Sequence, residues 1–255
     1  MKNLVNWKLF FLLLAASIVV SFMVIPYAFA LSPGMAEAFT PITIFAQIAQ
    51  NLVLFSLAIF VGLLLYRRIG FKMPFLEGLF EGKSDIAFLK SILPVSAGLG
   101  AVSGILVILL SLPFGVLSLD LLGAENQVAV WKVLFASFYG GIGEEILMRF
   151  FLVSLLVWVT WKIKKAKDGT PTRFGIWLSI ILVSVIFGLG HLPITGTLTE
   201  ITPIVVLRAV LLNGVCGLVF GWLYWKRGLE SAIIAHFTAD IVLHIITPNV
   251  ARFFV

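Results

Sequence analysis

Charge is sparse in this 255-residue sequence: Asp, Glu, Lys and Arg together make up 12% of it, against about 25% in a soluble domain. Apolar residues make up 61%, and the mean hydropathy is +1.12. A soluble globular fold is excluded, because no surface of this size could hide so much apolar area. Regular alternation of polar and apolar residues is also missing, which excludes a transmembrane barrel made of strands of about ten alternating residues. In hydrocarbon, every backbone N–H and C=O must be paired within its own segment. The fold class expected is therefore all-α, a polytopic transmembrane helix bundle embedded in the lipid bilayer.

Cysteine is nearly absent. Cys216 stands alone, mid-run beside Gly214 and Gly217, so neither a disulfide nor a cysteine-based metal site can form within one chain. No polar linker is long enough to separate two bundles, and no internal repeat is visible. Residues 1–255 read as one membrane domain, with N-terminal spans in 1–126 and a core of later spans in 127–247.

Apolar runs long enough to cross about 30 Å of hydrocarbon occur near Leu9 to Leu31, Ile42 to Tyr66, Ile92 to Leu117, Val128 to Trp161, Phe174 to His191, Ile204 to Trp225 and Ser231 to Thr247. That makes about seven spans. The first ends in Ala28-Phe29-Ala30, which looks like a cleavage site, but its apolar stretch exceeds the roughly 7–15 residues of a signal peptide and reads as an uncleaved helix. Gly100 with Gly104, and Gly217 with Gly221, suit close helix packing. Phe71, Phe75, Leu79 and Phe80 recur among Lys72, Glu77, Glu81 and Lys83, which predicts a short amphipathic helix on the membrane surface, connecting spans two and three.

The net charge of +6 does not point to nucleic acid, because the bases lie between apolar runs rather than on a globular face. Lys2, Lys8, Arg67, Arg68, Lys72, Lys83, Lys90, Lys162, Lys164, Lys165, Lys167, Arg173, Lys226 and Arg227 all fall on one side of a seven-span chain. The other side carries Glu37, Asp120, Glu125 and Glu200, with Lys132 near a span start and Arg252 at the tail. The positive-inside rule then predicts a multi-pass protein of the cell membrane with a cytoplasmic N-terminus. Trp158, Trp161, Trp177, Trp222, Tyr224 and Trp225 form an interfacial belt beside the basic loops. These loops also hint at substrate access from the cytoplasmic face.

Against this background, the fourth span holds Gly140-Gly141-Ile142-Gly143-Glu144-Glu145-Ile146-Leu147-Met148-Arg149. Each ionised group at the bilayer centre costs about 2.5–3.5 kcal/mol, so this grouping calls for a reason. Glu145 and Arg149 are four apart in the favourable order for an ion pair. Glu144, about 100° around the helix, is left without a local cation, as suits a general base. In the fifth span, Phe187-Gly188-Leu189-Gly190-His191 ends in a histidine. Glu144 stands 24 residues before the turn at Asp168 and His191 stands 23 after it, so in an antiparallel hairpin the two reach nearly the same height. In the seventh span, His236 and Asp240 share one helical face. There Asp240 can accept from His236 Nδ1–H, leaving Nε2 for a substrate or water. His244, one turn on, is expected to have no direct role. One depth does not fit. His236 lies a few residues above the loop at Gly228, while Glu144 and His191 lie many turns above theirs. Either helices four and five project into the inner aqueous phase, or the spans tilt and break, with Gly140, Gly141 and Gly143 the natural break points.

Glu-Glu-x-x-x-Arg, Phe-x-x-x-His and His-x-x-x-Asp, in this order on successive spans, resemble the CAAX protease and bacteriocin-processing (Abi) family. The resemblance covers roughly Tyr139 to Asp240. The chain is similar to the type II CAAX prenyl endopeptidases of that family, and the resemblance implies intramembrane proteolysis by a water that Glu144 and His191 activate. His236 and Asp240 would stabilise the oxyanion, and Glu145 and Arg149 would support them. Where the eukaryotic prenyl endopeptidases resemble one another in an asparagine, this chain has Asp240, which when ionised has no proton to donate. Its expected role is to orient His236. The substrate implied is a membrane protein or lipidated peptide.

Other readings use the same residues. Glu144, His191, His236 and Asp240 carry donors that zinc accepts, although no His-Glu-x-x-His spacing occurs; the expectation is a metal-free mechanism without cofactor. A non-enzymatic immunity or scaffold protein would keep the cluster for packing. A transporter would use Glu144 with Arg208 and Asn213 along a path.

Overall fold

The computed structural model describes residues 5–80, 86–115 and 128–247. Lys2, Glu81, Lys83, Leu117, Asp120, Glu125 and Arg252 lie outside the described residues. Within them, seven helices are long and apolar enough to cross a membrane: α1 (Trp7–Leu31), α2 (Pro41–Leu65), α3 (Ile86–Phe114), α4 (Val130–Ile163), α5 (Arg173–Thr195), α6 (Pro203–Arg227) and α7 (Leu229–Ile246). The protein is a multi-pass membrane protein, all-α as its composition requires. Boundaries differ from the expected ones by a few residues, most at the start of α3. There the exposed Lys90 sits inside the helix, because a charge at a solvated helix end has no reason to stop it. Helix α1 is interrupted at Val24, where Pro26 cannot donate to the carbonyl of Phe22.

Exposed apolar side chains such as Phe45, Val53 and Leu57 on α2, Val102 and Leu109 on α3 and Ile181 and Val185 on α5 face outward, as lipid contact requires. With no hydrophobic drive between helices in lipid, packing depends on close approach. The glycine pairs supply it. A Cβ at Gly100 would run into the carbonyl of Ala235, and one at Gly217 would fall 2.8 Å from Ser184 Cβ. The first pair lets α3 lie against α7, the second lets α6 lie against α5.

The segment after α2 differs from the surface helix expected. Only Pro74–Gly78 is helical, while Phe71 and Met73 are fully buried. Phe71 stands edge-on to Tyr224 at 4.9 Å. Leu76 N donates to Glu230 Oε1 (3.0 Å), Leu229 N donates to the Lys72 carbonyl (3.2 Å), and Tyr66 O–H donates to Glu77 (2.6 Å). Burial and the Glu77 carboxylate push the Tyr66 phenol well above its ordinary range. The segment is a strap tied beneath the α6–α7 turn; Pro74 and Gly78 keep it too short for a surface helix.

The strap fills space that α7 leaves. Ser96 and Ser231 hydroxyls meet at 2.6 Å; Ser96 is ten residues into α3 and Ser231 two into α7. At 1.5 Å per residue, α7 therefore starts about 12 Å farther along the bundle than α3, which runs parallel to it. Helix α4 has 34 residues, about 50 Å as an ideal α-helix, where about 30 Å suffices to cross hydrocarbon. The depth mismatch is thus met at least in part by the offset of α7 along the bundle. Other helices extend below Gly228, and no break occurs at Gly140, Gly141 or Gly143.

Candidate active site

Those glycines instead lie in a stretch of π-helix. Tyr139–Glu144 and Ile146–Val153 are wound in i→i+5 fashion, as is Ile241–Ile246 in α7. Such windings are rare and concentrate at functional sites. The wider turn rises less per residue and brings Glu144 toward the height of His236. It also preserves the expected ion pair: Arg149 Nη1 donates to Glu145 Oε1 at 2.8 Å, with both side chains fully buried. The guanidinium lies over the rings of Phe187 (4.7 Å) and Phe220 (5.3 Å), which supply a cation–π environment in place of water.

Glu145 has a second partner. His236 Nδ1 lies 2.7 Å from the same Oε1, and because a carboxylate held by Arg149 only accepts, Nδ1 is the donor. This corrects the expectation that Asp240 orients His236 through Nδ1. Asp240 Oδ1 instead stands 3.6 Å from Nε2, on the ring's opposite edge, where Glu144 Oε2 lies at 3.7 Å. One turn along α7 can bring Asp240 to only one edge of the ring, and α4 occupies the other. Phe220 stacks on the imidazole at 4.7 Å and 24°, fixing its plane.

His191 caps the α-helical part of α5. Its Nδ1 lies 2.8 Å from the Phe187 carbonyl, which accepts, so the Nε2 lone pair is left free. The spacing Phe-x-x-x-His thereby gains a physical meaning: the Phe187 carbonyl orients His191, and its ring covers Arg149.

Glu144, His191, His236 and Asp240 all line one cavity of about 450 Å³, which also includes Tyr139, Gly140, Arg208, Asn213, Cys216, Phe187, Phe220 and His244. Gly140 went unrecognised in the sequence as a site residue. A Cβ there would fall 2.6 Å from Asp240 Oδ2 and 3.0 Å from His236 Nε2, so only glycine lets α4 approach them. Phe220 carries no motif signal at all. His244, with no role expected, forms part of the wall.

The cavity opens away from the basic loops. Its wall beyond the four site residues includes the C-terminal parts of α1, α3 and α7 and the N-terminal parts of α4 and α6, among them Leu31, Ser111, Thr247, Val133 and Arg208. In an alternating bundle these ends lie together, opposite Arg67, Lys165 and Arg227. On the basic side, from which access was expected, Glu145, Arg149, Phe150 and Phe220 pack with at most 1% of their surface exposed.

Among the described residues, no group of three or more His, Cys, Asp or Glu side chains is arranged to hold a metal ion.

The same stretch of chain matches a family model. Residues 126–242 match that of the Rce1-like type II CAAX prenyl endopeptidases. They form an Rce1-like domain. The Rce1-like family consists of peptide hydrolases, and the protein is accordingly a CAAX-type intramembrane protease. The Rce1-like segment covers α4, α5, α6 and most of α7, the helices that carry the site. Neither a curated protein nor a solved structure matches the chain.

Proposed function

We propose that the Rce1-like domain hydrolyses peptide bonds of membrane-attached polypeptides with water as the nucleophile and without a metal. The observation that carries this reading is the convergence of Glu144, His191 and His236 on one cavity. Glu144 and His191 Nε2 are both acceptors, so together they take the two hydrogens of one water and aim its lone pair at a carbonyl carbon. Glu144 receives the proton as the oxygen attacks. His236, in its imidazolium form, donates through Nδ1 to Glu145 and through Nε2 to the developing oxyanion. Collapse breaks the C–N bond, and Glu144 returns its proton to the leaving amine. Asp240 borders the oxyanion position, and Arg149 holds Glu145 in place. No serine or cysteine nucleophile motif competes with water.

The wall is largely apolar, which favours a lipidated or strongly hydrophobic peptide. The Lys and Arg distribution supports residence in the cell membrane with a cytoplasmic N-terminus.

The test is to map peptide termini in membranes of cells carrying wild type or Glu144→Gln. Termini present only with wild type support the assignment and name substrates. Identical termini sets, or an unchanged phenotype, would indicate a scaffold that keeps the cluster for packing.

A further inference from the structure

We infer that the α4–α5 loop and the α6–α7 turn together bind the headgroup of an anionic phospholipid. This site is separate from the cavity, which none of its residues line, and it would work in whichever leaflet meets this end of the bundle.

The patch carries charge without compensation. Lys162, Lys164, Lys165 and Lys167 lie within six residues at the end of α4, Arg173 opens α5, and Lys226 and Arg227 close α6; all are exposed. In 158–177 and 222–228 the single acid is Asp168. Its Oδ1 is already taken by Thr170, which donates its N–H (3.0 Å) and its hydroxyl (2.7 Å). Among the described residues none of the seven bases forms an ion pair, whereas Arg67 at the same end is paired with Glu77 at 2.6 Å. So many like charges attract an anion from outside.

The charges are also held in place. An antiparallel bridge joins Lys165 to Pro171, Ala166 N donates to the Thr170 carbonyl (2.9 Å), and Trp161 Nε1 donates to that of Gly169 (2.8 Å). Lys162 Nζ lies over the rings of Trp158 (5.5 Å) and Trp161 (5.3 Å), Lys165 Nζ over Trp161 (5.4 Å) and Lys226 Nζ over Trp225 (3.6 Å). Trp177 meets Trp225 edge-on at 6.1 Å, which brings the start of α5 beside the end of α6. The two loops thereby present one patch, and indoles of this kind sit at the headgroup level.

The rim of the patch selects the occupant. Beside the bases, Ile163 exposes 80% of its surface, Phe174 77% and Trp177 39%. A free phosphate gains nothing from such an apolar rim. A phospholipid uses both parts, its phosphate meeting the bases and its acyl chains the rim.

The experiment equilibrates the immobilised full-length protein with a detergent-solubilised mixture of phosphatidylglycerol and phosphatidylcholine, washes it, and quantifies the lipid retained. Wild type should retain phosphatidylglycerol in preference. The preference should collapse at 1 M salt, where the screening length is about 3 Å. Each base near an anionic surface contributes about fivefold in affinity, so the quadruple variant Lys162→Gln/Lys164→Gln/Lys165→Gln/Lys167→Gln should lower the preference by more than about tenfold. Its Tm in phosphatidylcholine should match that of wild type, because these side chains are exposed; if the variant unfolds, the salt series on wild type decides alone. Glycerol phosphate, which has the charge but no acyl chains, should not displace the lipid. Equal retention of the two lipids, a preference that survives 1 M salt or the folded quadruple variant, or displacement by glycerol phosphate would overturn the inference.

Discussion

His236 Nδ1 lies 2.7 Å from Glu145 Oε1, while Asp240, on the same helix as His236, stands at the other ring nitrogen. Helix α4 therefore orients the imidazole of α7. Glu145 bridges Arg149 and His236, so the ion pair is part of the site rather than a neutral bystander.

If Glu145 is the residue that orients His236, Glu145→Gln should lower kcat with KM nearly unchanged. The amide can still reach Arg149 or the imidazole but cannot accept from both as a charge. Glu145→Ala strands a buried guanidinium and should cost about 3–5 kcal/mol of stability as well. Comparing kcat, KM and Tm of the two variants separates positioning from folding; a Glu145→Gln enzyme with wild-type kcat would refute the role.

Asp240→Asn is expected to retain activity within about tenfold, because asparagine can donate to an oxyanion where an ionised carboxylate cannot. Were Asp240 the orienting group, this change would be as damaging as His236→Ala. Cleavage rates of the two variants, measured side by side, decide.

Gly140→Ala places a methyl 2.6 Å from Asp240 Oδ2 and 3.0 Å from His236 Nε2. The groups must shift by a few tenths of an ångström or more, and misplacement by about 1 Å can cost about 10²-fold in rate. A large fall in kcat with a small change in Tm is the expected pattern. Full activity would show that α4 has slack at this point.

Gly100→Val drives a branched side chain into the Ala235 backbone on α7. Overpacking of this kind costs about 1–3 kcal/mol. Thermal unfolding in detergent should show a lowered Tm, and an unchanged Tm would mean that α3 and α7 separate easily.

A membrane-permeant chelator should leave cleavage unaffected, whereas Glu144→Gln should reduce it by about 10²–10⁴-fold, the usual contribution of a general base. Loss of activity on chelation, restored by added metal, would replace the water-activating carboxylate with a metal centre.

The sequence by itself determined the solvent, the class and the cast. Sparse charge and long apolar runs permit only helices in lipid, and six ionisable residues in those runs stand out because hydrocarbon penalises each of them. The Glu145–Arg149 pair was legible for the same reason that it forms: spacing along one helix is local. Contacts between helices were not legible. Which nitrogen of His236 Glu145 holds depends on the π-winding of α4 and on the missing Cβ of Gly140, and neither follows from residue spacing. The strap under Glu230 and the recessed start of α7 depend on tertiary packing between segments about 150 residues apart. So does the end at which the cavity opens: the charges of the loops reveal which end is basic, but only the packed bundle shows that the site's floor faces it.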